Sequence, residues 1–132
     1  MADIESVTTS DEGYASLSRV GEFELSVDAT GEEGPTPQMV LVADYASCYL
    51  PAVRVAADRL GYDDVGKVQI EAEGDLDEND DVRGVRFTIH LEADVDEGDV
   101  EALVEHADEI CHVHDALREE LHADVEVYGD QF

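Results

Sequence analysis

Basic side chains are scarce in this chain. Seven lysines and arginines stand against 35 aspartates and glutamates, and Lys67 is the sole lysine. There is no basic patch to meet phosphates, so nucleic acid is not an expected partner. A long uninterrupted apolar run is also missing. The most apolar stretch, Met39 to Val55, contains Asp44, Ser47, Pro51 and Arg54, which makes it a poor membrane span. The opening Met1-Ala2-Asp3-Ile4-Glu5 is acidic and lacks the basic region that begins a secretory leader. No internal repeat and no low-complexity linker stands out. With two cysteines and no secretory features, the expected setting is cytoplasmic, where a cysteine pair is catalytic, redox-active or merely buried rather than a permanent staple.

What is present in excess is acid. The formal net charge is -28 over 132 residues. Runs such as Asp75-Leu76-Asp77-Glu78-Asn79-Asp80-Asp81 lie between patterned segments, which places the charge on the surface. Such a surface repels itself at low salt. Molar salt screens it, because the Debye length there is only about 3 Å. The composition therefore reads as adaptation to a saline cytoplasm, in a halophilic cell. Hydrophobic residues make up 43% of the chain, enough for a packed core in one domain over residues 1–132.

The hydrophobic pattern predicts an α+β order. Strands are expected within residues 1–30, where Phe23, Leu25 and Val27 alternate with polar neighbours. The Gly31 to Pro37 segment is a loop by its glycines and prolines. Thr36 is the candidate N-cap of a first helix over 36–61, with Pro37 at its first position and Gly61 as its C′ residue. Pro51 should kink or break that helix. Its early turns are apolar nearly all round, so burial on every side is expected, and a second subunit is one way to supply it. A strand hairpin follows over 66–95, in which Val85, Phe87, Ile89 and Leu91 alternate with Arg86, Thr88 and His90. A second helix is expected over 97–119, with Leu103, Ala107, Ile110, His114 and Leu117 at helical spacing, and a last strand over 121–128.

Cys48 and Cys111 each fall in one of the two long helices. A buried helical cysteine often acts only as a small hydrophobe. Chemistry requires a thiolate at the attacking sulfur and close approach of the two sulfurs. The histidines near Cys111, His112 and His114, splay apart on a helix, and neither they nor His90 and His106 have the spacing of a zinc site, so no metal is expected.

Gly34-Pro35-Thr36-Pro37, followed by an apolar helix reaching Ala46-Ser47-Cys48, resembles the signature of the OsmC/Ohr family. That signature is a Gly-rich loop, a Thr/Asn-Pro step and a cysteine eleven residues after the proline, the spacing kept by Pro37 and Cys48. The segment from Ala107 through Cys111 to Leu117 is similar to the family's second cysteine segment, with His112 where the family has proline. The resemblance spans roughly Gly31 to Gly129.

The resemblance implies an OsmC-like fold of antiparallel sheets with two long helices, the first buried at an intertwined homodimer interface. It implies a thiol-dependent peroxidase, an organic hydroperoxide reductase of the oxidative stress response, in which Cys48 becomes a sulfenic acid and Cys111 then closes a disulfide. No cofactor is bound. An external dithiol, in several members a dihydrolipoyl group on a lipoylated protein, restores the thiols. The family arginine falls to Arg19, the only arginine before the first helix. The family glutamate is missing. Gln38 stands at that place, and Asp44, one helical turn before Cys48, is the other supporting candidate. Tyr45 and Tyr49 flank Cys48 and are expected to line the substrate pocket or the dimer core. The loss of the glutamate keeps an alternative open: a catalytically weakened redox sensor, or a binding protein for a small apolar ligand. A structural dimer module with two buried free cysteines is the third.

Overall fold

Period-two alternation from Val82 to Leu91 puts Val85, Phe87, Ile89 and Leu91 on one side of a strand, and all four are buried. In the computed structural model, which describes residues 2–132, this strand is the middle of a three-stranded sheet. The chain divides into two compact units, Met1–Leu41 and Val42–Phe132, described separately below.

The first unit holds β1 (Ser6–Thr9), β2 (Ala15–Val20) and β3 (Phe23–Asp28), antiparallel in that order. β2 and β3 are joined by the two-residue turn Gly21-Glu22, with Val20 opposite Phe23. Gly21 has φ +60°, the sign such a hairpin turn demands and one that side chains with a Cβ resist. Asp28 ends β3 nearly buried and organises the following loop. Its carboxylate accepts from the Thr30 N–H (2.8 Å), the Thr30 hydroxyl (2.7 Å) and the Glu33 N–H (3.0 Å). These donors, Thr30 first, hold its pKa below the ordinary carboxylate value. Ile4, Val7, Tyr14 and Phe23 are exposed.

Helix α1 (Pro37–Arg59) begins in this unit. Thr36 caps it: its hydroxyl accepts from the Met39 N–H at 3.2 Å, and Pro37 loses nothing by having no N–H there. The helix ends in a Schellman motif. Gly61 takes φ +93°, its N–H reaches the Asp58 carbonyl (3.0 Å), and the Tyr62 N–H reaches the Ala57 carbonyl (3.0 Å). Pro51 does not break α1, contrary to the sequence expectation; it sits on the exposed face and the helix runs through it. Within the single chain α1 is covered on one side. Tyr45, Tyr49, Ala52, Val53, Ala56 and Ala57 are buried, whereas Met39 and Val55 are 60% and 43% exposed. It is long and apolar enough to cross a membrane by length and composition, the one such helix among the described residues.

The second unit contains β4 (Val68–Leu76), β5 (Val82–Leu91) and β6 (Asp124–Tyr128). β4 and β5 form an antiparallel hairpin closed by Asp77, whose side chain accepts from the Asn79 and Asp81 N–H groups and from Arg83 Nε (2.6 Å). β6 pairs with the other edge of β5 in parallel, with Val125 beside Phe87 and Val127 beside Ile89. The sheets are mainly antiparallel, as expected, and the β5–β6 pair is the exception. The chain crosses over through helices before returning, so β6 runs in the same direction as β5.

The crossover corrects one expectation. The helix expected to reach Glu119 stops at Ile110 as α2 (Glu97–Ile110). Cys111 adopts an extended backbone (φ -71°, ψ 112°). A five-residue helix, α3 (His112–Ala116), and a 3-10 turn at Glu119–Leu121 follow. The core lies between this crossover, α1 and the inner face of β5. The Tyr45 and Phe87 rings meet there edge to face with centroids 4.7 Å apart, and the Tyr49 ring packs tilted against Phe87 at 5.2 Å. At the margin, Lys67 stands over the ring of Phe132, 4.4 Å from its centre.

Candidate active site

Cys48 is half-buried on the core-facing side of α1, and Cys111 is buried at the interruption between α2 and α3; both are free thiols. Because Cys111 is not helical, its side chain serves as the N-cap of α3: Sγ accepts the His114 N–H at 3.4 Å. The Cys111 thiol is pushed up to about 11, by burial first and by Cys48 in addition, while the His114 and Val113 N–H groups pull the other way. Both side chains belong to the same apolar cluster.

Tyr45 and Tyr49 lie in the same cluster as packed core, with exposures of 1% and 0%. Their hydroxyls must find partners inside. Tyr49 donates to Asp108 Oδ1 at 2.8 Å. Tyr45 accepts from the Ala123 N–H at 3.0 Å and lies 2.5 Å from His114 Nδ1. Tyr45 Oη and His114 Nδ1 share one hydrogen bond, whose direction follows the imidazole tautomer. His114 stacks on His122 with ring centres 3.8 Å apart, and Asp108 lies 3.9 Å from Nδ1. Burial first, and then His122, lowers the His114 pKa against the opposing pull of Asp108. Burial raises Tyr45 to about 12, and burial together with Asp108 raises Tyr49 further above the ordinary tyrosine value.

Arg19 is exposed on β2 and pairs with Glu24 across the hairpin at 3.2 Å. Gln38 is half-buried in the first turn of α1. Asp44 is exposed, and its backbone carbonyl accepts from the Ser47 hydroxyl at 2.8 Å. Among the described residues, no three His, Cys, Asp or Glu side chains gather as metal ligands. Asp108, His122 and the buried role of His114 were not anticipated from the sequence. The available signal was symmetry: tyrosines at -3 and +1 from Cys48, and polar groups at -3 and +3 from Cys111.

Comparison with known proteins agrees with this architecture. The family model described as OsmC-like protein matches residues 29–126. An uncharacterized protein of Haloferax volcanii is 52% identical over 132 residues, covering 100% of both chains. Among solved structures, an OsmC-like protein from Mycoplasma pneumoniae superposes with a TM-score of 0.79 at 18% identity, covering 98% of this chain and 96% of that one. The organic hydroperoxide resistance protein OhrB of Bacillus subtilis gives 0.71 at 20% identity, covering 96% and 98%. An α+β fold of two mainly antiparallel sheets and two long helices thus coincides with a family match over most of the chain: the protein belongs to the OsmC-like family.

Proposed function

We propose that this protein is a thiol-dependent peroxidase that reduces organic hydroperoxides to alcohols. Family membership supports a peroxide-related redox role in general; the observation that carries the finer reading is the juxtaposition of Cys48 and Cys111 as free thiols in one apolar cluster. Cys48 is the better placed to meet a substrate, being half-buried where Cys111 is 1% exposed. Its thiolate attacks the outer peroxide oxygen, the O–O bond breaks, and the alkoxide takes a proton and leaves as the alcohol. The resulting Cys48 sulfenic acid condenses with the Cys111 thiol, forming an S–S bond and releasing water. An external dithiol, of dihydrolipoyl type, reduces the disulfide by two thiolate exchanges and becomes a disulfide itself. Apolar surroundings favour alkyl hydroperoxides over hydrogen peroxide. The thiolate-stabilising role falls to Arg19 by family resemblance.

The active form is proposed to be a homodimer in the cytoplasm of a halophile. The exposed apolar residues of α1 support association with a second copy. The similarity to a Haloferax protein and the charge of -28 support the saline setting. A second reading, a catalytically weakened redox sensor, draws on the Arg19–Glu24 ion pair, which already engages the candidate guanidinium. Turnover of cumene hydroperoxide in molar salt with a dithiol separates the two. Wild type should consume the peroxide, and Cys48→Ser should be inactive. Full activity in Cys48→Ser would reject the peroxidase assignment.

A further inference from the structure

Cys111 lies where helical hydrogen bonding is interrupted, and the α3 it caps is one short turn. Local structure alone therefore does little to fix its sulfur. The surroundings do. Tyr45 and Tyr49 stand three residues before and one after Cys48 on α1. Their partners, His114 and Asp108, stand three after and three before Cys111. Each tyrosine thus spans from the helix of one cysteine to a residue three positions from the other. Tyr45 adds a third tie, to the Ala123 N–H at the entrance of β6. All four side chains are buried or half-buried, so if the Cys111 segment slid, two hydroxyls would be left unpaired among apolar groups.

We infer that Tyr45–His114 and Tyr49–Asp108 act as a double clamp that holds Cys111 in register with Cys48, making these four positioning residues for disulfide closure. The inference rests on the Cys48–Cys111 disulfide of the proposed function, but not on peroxide being the oxidant. The clamp holds the two thiols at a high effective concentration, as any fixed pair of reacting groups does. Its loss should lower that concentration without touching either sulfur.

The test equilibrates the full-length protein with mixtures of reduced and oxidised dithiothreitol in molar salt. Oxidised dithiothreitol takes two electrons and two protons from the cysteines and becomes the dithiol. The Cys48–Cys111 disulfide is then read by alkylation and mass measurement, which gives the effective concentration of the pair. Tyr49→Phe and Asp108→Ala should each lower it at least tenfold, and Asp108→Asn, which keeps an acceptor for Tyr49, should restore most of it. A residue that only stabilises the fold lowers both redox forms alike and leaves this ratio unmoved. If Tyr45→Phe fails to fold, the Tyr49 and Asp108 variants decide. An unchanged ratio in folded Tyr49→Phe and Asp108→Ala, or no Cys48–Cys111 disulfide in wild type, overturns the clamp. A normal disulfide ratio in wild type, with tenfold losses in the variants but no peroxide turnover, sinks the peroxidase reading and leaves the clamp standing.

Discussion

His114 shows how much depends on one proton. Its Nδ1 can accept the Tyr45 hydroxyl only while the ring is neutral, and burial favours the neutral ring by lowering its pKa from the ordinary 6.5. In the unfolded chain the ordinary value returns, so acid protonates the unfolded form first. Stability from neutral His114 is therefore whole above about pH 6.5 and is lost as pH falls toward the depressed folded value. The charged groups facing it are Asp108 and Asp115, with His122 stacked on it. Urea midpoints measured on either side of pH 6.5 should fall with acid more steeply for wild type than for His114→Gln. Equal slopes would show that this ring contributes nothing to the acid sensitivity. None of this was legible from spacing alone. His114 sits on the apolar stripe of Leu103, Ala107 and Ile110 and reads there as a half-buried helix residue. Its partner comes from a helix 69 residues away in sequence.

At the scale of elements, the readable parts were those whose causes are local. Thr36, Pro37 and Gly61 delimit α1 by capping chemistry, and the alternation through β5 fixes its buried face. The break at Cys111 carries no proline or glycine. The apolar stripe runs on past it to Leu117, and the interruption is supported by ties to α1, so periodicity overran it. The direction of β6 was equally hidden, because five alternating residues look the same read either way. The way β6 ends is more restrictive. A Cβ on Gly129 would meet the Val95 nitrogen at 2.8 Å and the Ala93 carbonyl at 3.0 Å. The next two residues are tied down, Asp130 N–H to the Ala93 carbonyl and Gln131 N–H to that of Leu91, each at 2.9 Å. The obstacle is backbone and cannot swing aside. Gly129→Ala should cost about 1–3 kcal/mol, the usual toll of overpacking. Urea unfolding should show a lower midpoint with an unchanged slope. A wild-type midpoint would mean that the strand end yields freely.

Over the whole molecule, charge dominates. A formal -28 on 132 residues makes the folded surface repel itself. Raising ionic strength from 0.1 to 1 M shortens the Debye length from about 10 to about 3 Å. The thermal midpoint should climb across that range, and more for wild type than for a variant with several surface aspartates of the 75–81 loop changed to asparagine. A flat response would separate the acidity from stability and leave it to solubility alone. The same composition leaves a single side-chain amine, on Lys67, lying over the ring of Phe132. Amine-directed coupling to a sensor surface accordingly has one side-chain address in this sequence, and molecules attached through it would share one orientation.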